Sequence, residues 1–329
     1  MSDASSRNGS SEIGTIVTGN APGFAPYIGR FAPSPTGPLH FGSLLAAVAS
    51  YLEARNQKGQ WLLRVEDIDP PREQTGAIDE ILTALERYGF EWDGPVTYQS
   101  ASRAEHHHAI QALIDSGMAY HCGCSRRDLA AAPRCSLGVI YPGTCRNGSN
   151  ATEVALRIRT DNVSQRFDDG LQGIQTNRLE SESGDFIILR RDGLIAYQLA
   201  VVVDDHLQGI TDVVRGIDLI DSTPRQIWLQ QLLGYEQPRY CHIPVAVNDQ
   251  GQKLSKRHGS KGITLKRTGN VLFLALEMLG QRPPPGLQLA SITAIWDWAM
   301  QNWNVDVLKN VDQIVPDNRD LVGAENGLS

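Results

Sequence analysis

Two places in the sequence, far apart, carry residue types suited to anion chemistry. The first is Leu39-His40-Phe41-Gly42-Ser43, which follows the Pro33-Ser34-Pro35-Thr36-Gly37-Pro38 loop and directly precedes a segment with helical spacing. A helix N-terminus leaves N–H groups unbonded and carries the positive end of the dipole, so it attracts phosphate. Gly42 would let a nucleotide approach the backbone, and His40 can donate to a phosphate. The same residues also read as a plain helix start with Ser43 as the cap. The second place is Lys253-Leu254-Ser255-Lys256-Arg257, in a polar, Gly-bounded stretch. Lys253 and Lys256 suit a triphosphate and would act most strongly as charge builds on a departing pyrophosphate. A solvated basic loop is the simpler alternative.

A third cluster is made of thiols. Of the five cysteines, Cys122, Cys124, Cys135 and Cys145 fall in one Gly/Pro/Arg-rich stretch. Zinc prefers four N or S donors, and thiolates on a short loop are typical ligands. Free structural thiols are the alternative. Five cysteines are too few for a disulfide scaffold of 329 residues, and an odd number argues for a reducing, cytoplasmic setting. His106-His107-His108 lies on a segment with helical spacing, where neighbours point different ways, and reads as a solvated helix face.

The elements that must position these groups follow from pattern. Tyr27 to Ala32 is apolar and strand-like; Leu44, Leu45, Val48, Tyr51 and Leu52 recur with helical period; Trp61 to Val65 reads as a strand. Strand, loop, helix, strand is a βαβ unit, so a parallel sheet and an α/β fold are expected. Ile78–Tyr88 and Arg103–Ser116 read as amphipathic helices. Phe186–Arg190 and Ala196–Val203 read as a strand pair around Asp192-Gly193, with Val201-Val202-Val203 a buried strand ending in Asp204-Asp205. Thr211–Arg215 is a further strand. Arg225–Leu233, a segment from Asn270 and one from Ile292 are helices. Hydrophobic residues are 41%, charged residues 20% and net charge −7. That excludes a disordered chain and a generally basic nucleic-acid coat protein; any nucleic acid must meet a local basic patch. Residues 1–25 lack an apolar core and are expected to be a disordered tail rather than a secretory signal, and no run is long enough to span a membrane.

Several separated segments, in order, resemble the class I aminoacyl-tRNA synthetases. Arg30 to Gly37 with Leu39-His40-Phe41-Gly42 resembles their HIGH signature, and Lys253 to Arg257 their KMSKS loop. Arg64-Val65-Glu66-Asp67-Ile68-Asp69, Ala196-Tyr197-Gln198-Leu199-Ala200 and Val214-Arg215-Gly216-Ile217-Asp218-Leu219 resemble the glutamate-specific branch. Ser43 replaces the second histidine of HIGH, and Arg257 the last serine of KMSKS. The cysteine stretch, and the mere 72 residues after Arg257, resemble the paralogues of that branch that load glutamate onto queuosine.

The resemblance implies a Rossmann-type catalytic domain in two halves, 26–117 and 166–262, split by a zinc-bearing insertion at 118–165. A short helical C-terminal region would follow at 263–329. It implies ATP with Mg2+, and catalytic roles for His40, Lys253 and Lys256. ATP would meet His40, Gly42, Ser43, Asp218 and Lys256. A guanidinium binds a carboxylate bidentately, so Arg30 and Arg215 would clamp L-glutamate, with Glu66 on its ammonium and Tyr197 and Ser34 beside it. The resemblance makes Tyr141, with Cys122, Cys124 and Cys145, the zinc ligand set; Cys135 is the chemical rival of Tyr141. The implied activity is tRNA-independent activation of glutamate, then transfer to queuosine in the anticodon stem-loop of tRNA(Asp), by a monomer. Rival readings are a shortened glutamyl-tRNA synthetase charging tRNA(Glu), a nucleotidyltransferase, and a silent tRNA-binding paralogue.

Overall fold

The computed structural model describes residues 26–247 and 262–315. The expected tail and the Lys253, Lys256 and Arg257 motif lie outside the described residues. β1 (Ile28–Phe31) leads through the proline loop into α1 (Phe41–Asn56), and β2 (Gln60–Val65) returns parallel to β1 with Arg30 opposite Leu62. After α2 (Ala77–Arg87), β3 (Thr97–Tyr98) pairs parallel with β2, and α3 (Arg103–Asp115) follows. Apart from β3, which the sequence did not announce, these elements stand where sequence spacing put them.

The middle of the chain is mostly strand. β4 (Ala119–Cys122) ends on Cys122, the hairpin of β5 (Arg134–Cys135) and β6 (Gly138–Val139) carries Cys135, and Cys124 and Cys145 lie in the loops before β7 (Ala155–Ile158). β8 (Ser164–Asp169) and β9 (Gly173–Arg178) form a second hairpin, and the one-turn α4 (Leu179–Glu182) precedes β10 (Phe186–Leu189). β10, β7 and β4 make an antiparallel sheet in that order.

The second half returns to alternation: α5 (Tyr197–Leu207), β11 (Asp212–Gly216), α6 (Thr223–Leu233), β12 (Arg239–Ile243) and β13 (Val245–Ala246). β11 and β12 are parallel, and Arg215 stands opposite His242. β11 abuts β1, where the Thr211 N–H donates to the Ile28 carbonyl (2.9 Å). The two halves of the chain therefore meet along β1 and β11. α7 (Thr268–Met278) and α8 (Ile292–Asn302) follow, and β14 (Gln313–Ile314) pairs with β13. The C-terminal region is thus not purely helical.

One core binds first and last elements together. Leu44, Leu45, Val48 and Leu52 of α1 pack with Leu272 and Leu276 of α7 and Ile295 of α8, all 1% exposed or less. Each such side chain stabilises the fold by about 1.5–3 kcal/mol relative to exposure. The Tyr51 ring sets its face or edge against Trp61 (5.1 Å), Phe90 (5.4 Å) and Trp296 (5.0 Å), which ties α8 to α1 and β2.

Two sequence readings are corrected. Ala196–Val203 is not a strand: Tyr197–Leu207 is helix. Three β-branched residues favour a strand locally, but this helix is buried from Leu199 to Asp205, so it shows no amphipathic period and packing overrides propensity. The solvated histidine face holds for His107 and His108 and fails for His106. That side chain is fully buried, with Nε2 2.9 Å from Asp204 Oδ1. No described helix is long and apolar enough to cross a membrane.

The thiol-bearing segment is anchored by one buried carboxylate. Asp185, 1% exposed, accepts from Arg146 Nε (2.7 Å) and Nη2 (2.8 Å), from Thr160 N (2.9 Å) and Oγ1 (2.8 Å), and from the Tyr120 hydroxyl. Burial would raise its pKa, but the bonds from Arg146, Tyr120 and Thr160 hold it below the usual aspartate value. A depressed native pKa stabilises the fold above the unfolded value, near 3.9, and that stabilisation fades as pH falls through the native one. Asp185→Asn should therefore cost roughly 1.5–3 kcal/mol at pH 7, and the deficit relative to wild type should shrink at pH 3. Urea midpoints of both proteins at the two pH values check this; a deficit that does not depend on pH would contradict it.

Candidate active site

A cavity of about 570 Å3 opens where β1, the proline loop, α1, β11 and α5 converge. Every described residue of the expected glutamate and ATP sites lines it: Arg30, Ser34, His40, Gly42, Ser43, Glu66, Tyr197, Arg215 and Asp218. Tertiary folding thus brings one wall from the first half of the chain and one from the second.

The floor is ionic and almost dry. Arg30 is 4% exposed and donates from Nε to Asp205 Oδ1 (3.1 Å) and from Nη2 to Oδ2 (3.3 Å). Arg64 Nη2 reaches the same Oδ1 at 2.7 Å and lies 3.5 Å from Glu66 Oε1. Burial pushes Asp205 up, but Arg30 and Arg64 bring its pKa below the usual range. Glu66 shifts the other way: burial outweighs Arg64 and Arg30 and raises it. Burial likewise raises Tyr197, which therefore stays a neutral hydroxyl at pH 7.

Arg215 is differently placed. Its Nε donates to His242 Nε2 (3.0 Å), and its Nη2 donates to Thr223 Oγ1 (2.8 Å) and Gln226 Oε1 (2.9 Å). No carboxylate pairs with it among the described residues. Its Nη1 is buried and has no hydrogen-bond partner among them. An unsatisfied guanidinium N–H is costly to bury, and Arg215 is also one of the residues that line the cavity.

The other end of the cavity is formed by the start of α1. His40, not Ser43, caps α1: its Nδ1 accepts from the Ser43 N–H at 3.1 Å, and its Nε2 lies 3.0 Å from Ser43 Oγ. Gly42 sits in the first turn, where an added Cβ would touch only the His40 ring, at 3.4 Å. The opening turn of α1 therefore faces the cavity with small side chains and amide hydrogens.

The thiols form a separate site. The sulfurs of Cys122, Cys124 and Cys145 all lie within 4.8 Å of one another. The Tyr141 hydroxyl lies 3.3 Å from Cys122 Sγ and 3.4 Å from Cys124 Sγ. Sulfurs around a tetrahedral zinc would stand about 3.8 Å apart, since Zn–S is about 2.3 Å, so the four groups fit one ion. Cys135, on β5, is outside the group. Gly184 lies against Tyr141 with φ +65°, and a Cβ there would meet the Tyr141 nitrogen at 2.3 Å. Arg157 covers the Tyr141 ring at 4.0 Å.

Asp205, Arg64, His242, Asp169, Thr223 and Gln226 were not singled out by their chemistry. Asp205 had a signal, a carboxylate after an apolar run. His242 and Asp169 had none, since their partners are set only by strand pairing.

Comparison with known proteins adds the family. The catalytic domain of class I tRNA synthetases (E and Q) matches residues 28–282. The chain is 50% identical over 289 residues to the glutamyl-Q tRNA(Asp) synthetase of Dechloromonas aromatica (strain RCB), covering 86% of this chain and 96% of that protein. It is 52% identical over 279 residues to the protein of the same name from Ectopseudomonas mendocina (strain ymp), covering 84% and 93%. In structure it resembles a glutamate tRNA ligase from Elizabethkingia meningosepticum CCUG26117, with a TM-score of 0.74 at 22% identity over 90% of this chain and 68% of that one. That likeness supports the same fold. The cavity, the order of its motifs and these matches agree: the chain belongs to the class I tRNA synthetases of the E and Q type.

Proposed function

We propose that the chain activates glutamate with ATP, without tRNA, and passes it to queuosine in the anticodon stem-loop of tRNA(Asp). The observation that carries this reading is half-identity along nearly the whole length of relatives named for that reaction. The cavity supports it, because Arg215 lines it without a carboxylate partner among the described residues, and a guanidinium suits an acidic side chain better than an amide. Arg30 and Arg215 hold the two carboxylates, Glu66 the ammonium, and Tyr197 and Ser34 flank the amino acid. The α-carboxylate attacks the α-phosphorus of ATP in line, and pyrophosphate leaves; a queuosine hydroxyl then displaces AMP from the glutamyl-adenylate. His40, Gly42, Ser43 and Asp218 position ATP, and Lys253 and Lys256 take up charge on the leaving pyrophosphate. Catalysis is positioning and charge stabilisation. Mg2+ accompanying ATP would neutralise phosphate charge.

The tRNA must find positive charge on an acidic chain. Exposed Arg126, Arg127 and Arg134 lie on the thiol-bearing segment. Arg191 joins them by donating to the carbonyls of Gly123 (3.1 Å) and Cys124 (3.0 Å).

The test is transfer of labelled glutamate to tRNA(Asp) or its stem-loop, with queuosine or guanine in place. Only the queuosine forms should accept, and Lys256→Ala should cut glutamate-dependent pyrophosphate exchange by about two to three decades. Charging of the tRNA(Glu) 3′ end instead would replace this reading with a glutamyl-tRNA synthetase.

Zinc held by Cys122, Cys124, Tyr141 and Cys145 would be structural, because four protein ligands close its coordination. Metal analysis should find about one zinc per chain. Cys124→Ser should lose it with a fall in melting temperature, while Cys135→Ser keeps both. A zinc-free wild-type protein, or loss on changing Cys135, would rule the site out.

A further inference from the structure

Behind Arg215 lies a buried relay that does not line the cavity. Asp169 ends β8, and His242 lies on β12 beside it; they are 2% and 0% exposed. Asp169 Oδ1 accepts three backbone N–H groups, from Leu171 (3.1 Å), Gln172 (3.0 Å) and His242 (3.2 Å). That leaves Oδ2 to face His242 Nδ1 at 2.5 Å. A carboxylate can only accept here, so Nδ1 must carry the ring hydrogen. The other ring nitrogen, Nε2, is then a lone pair, and the Arg215 Nε–H donates into it at 3.0 Å.

We infer that Asp169 and His242 are positioning residues that set the direction of the Arg215 fork and thereby the affinity for the acidic side chain of the amino acid; this rests on the glutamate reading above. The guanidinium is planar, so fixing Nε and Nη2 fixes where Nη1 lies. Thr223 and Gln226 hold Nη2, while His242 alone among the described residues accepts from Nε. The imidazole is neutral in this setting: burial pushes its pKa down to about 4, against the pull of Asp169.

One isosteric change isolates the relay. In Asp169→Asn the three backbone donors keep the amide oxygen at the Oδ1 position, so the NH2 must face His242 Nδ1. The ring then accepts at Nδ1 and carries its hydrogen on Nε2, which confronts the Arg215 Nε–H with another donor. The full-length variant should therefore show the switched tautomer in imidazole 15N shifts. Its KM for glutamate in pyrophosphate exchange should rise about ten- to a hundredfold, with KM for ATP unchanged. His242→Gln, whose amide oxygen can accept from Arg215 without help from Asp169, should keep a lower glutamate KM than His242→Leu; this arm still decides if Asp169→Asn does not fold. A switched tautomer with unchanged glutamate KM, equal rises in both KM values, or no difference between the Gln and Leu variants would overturn the inference. Absence of glutamate-dependent exchange in the wild type would instead overturn the activity reading, and the nitrogen shifts would still report the tautomer.

Discussion

Two guanidiniums share one carboxylate at the base of the cavity, and the site depends on that balance. Arg30 comes from β1 and Arg64 from β2, next to each other in the sheet, and Asp205 comes from α5 in the other half of the chain. Removing the partner of a buried charge typically costs about 3–5 kcal/mol. Asp205 is thus both counter-ion and clasp: α5 must dock on the first βαβ unit for the arginines to be buried at all. The docking also delivers Tyr197, one end of the same helix, to the cavity wall.

Electrostatic division of labour follows. Arg30 arrives already neutralised and can hold a ligand only as one member of a network. Arg215 bonds only neutral partners through Nε and Nη2, so no described carboxylate quenches its charge. Its neighbours are a threonine, a glutamine and an imidazole, groups that orient a guanidinium without quenching it. A carboxylate in place of any of them would neutralise the guanidinium.

Much of this was legible in residue order. The proline loop, α1 and β2 announced themselves by punctuation and period, although their packing partners α7 and α8 lie far along the chain. The helix Tyr197–Leu207 was misread because full burial erases the contrast on which periodicity depends. β8 was missed for a related reason: its inward residues are Gln165, Phe167 and Asp169, so the alternation is real but two of its three buried positions are polar. His106 looked like one of three solvated histidines, yet it stands at i−3, i−4 and i−7 from the buried Ala109, Ile110 and Leu113 and meets Asp204 inside. His242 and Asp169 lie on different strands, and no spacing rule can pair them. The thiols were conspicuous, yet proximity in sequence could not choose between Tyr141 and Cys135.

Gly184 carries a consequence for how the thiol site could be lost. The residue supplies no ligand and lies far along the chain from the cysteines, yet its missing side chain is what lets the chain pass the Tyr141 backbone. Any larger residue there would push the Tyr141 backbone aside and move its hydroxyl away from the three sulfurs. A chain could therefore retain all three cysteines and the tyrosine and still be unable to close around a metal. The identity of the donors alone does not define such a site; the clearance behind them does.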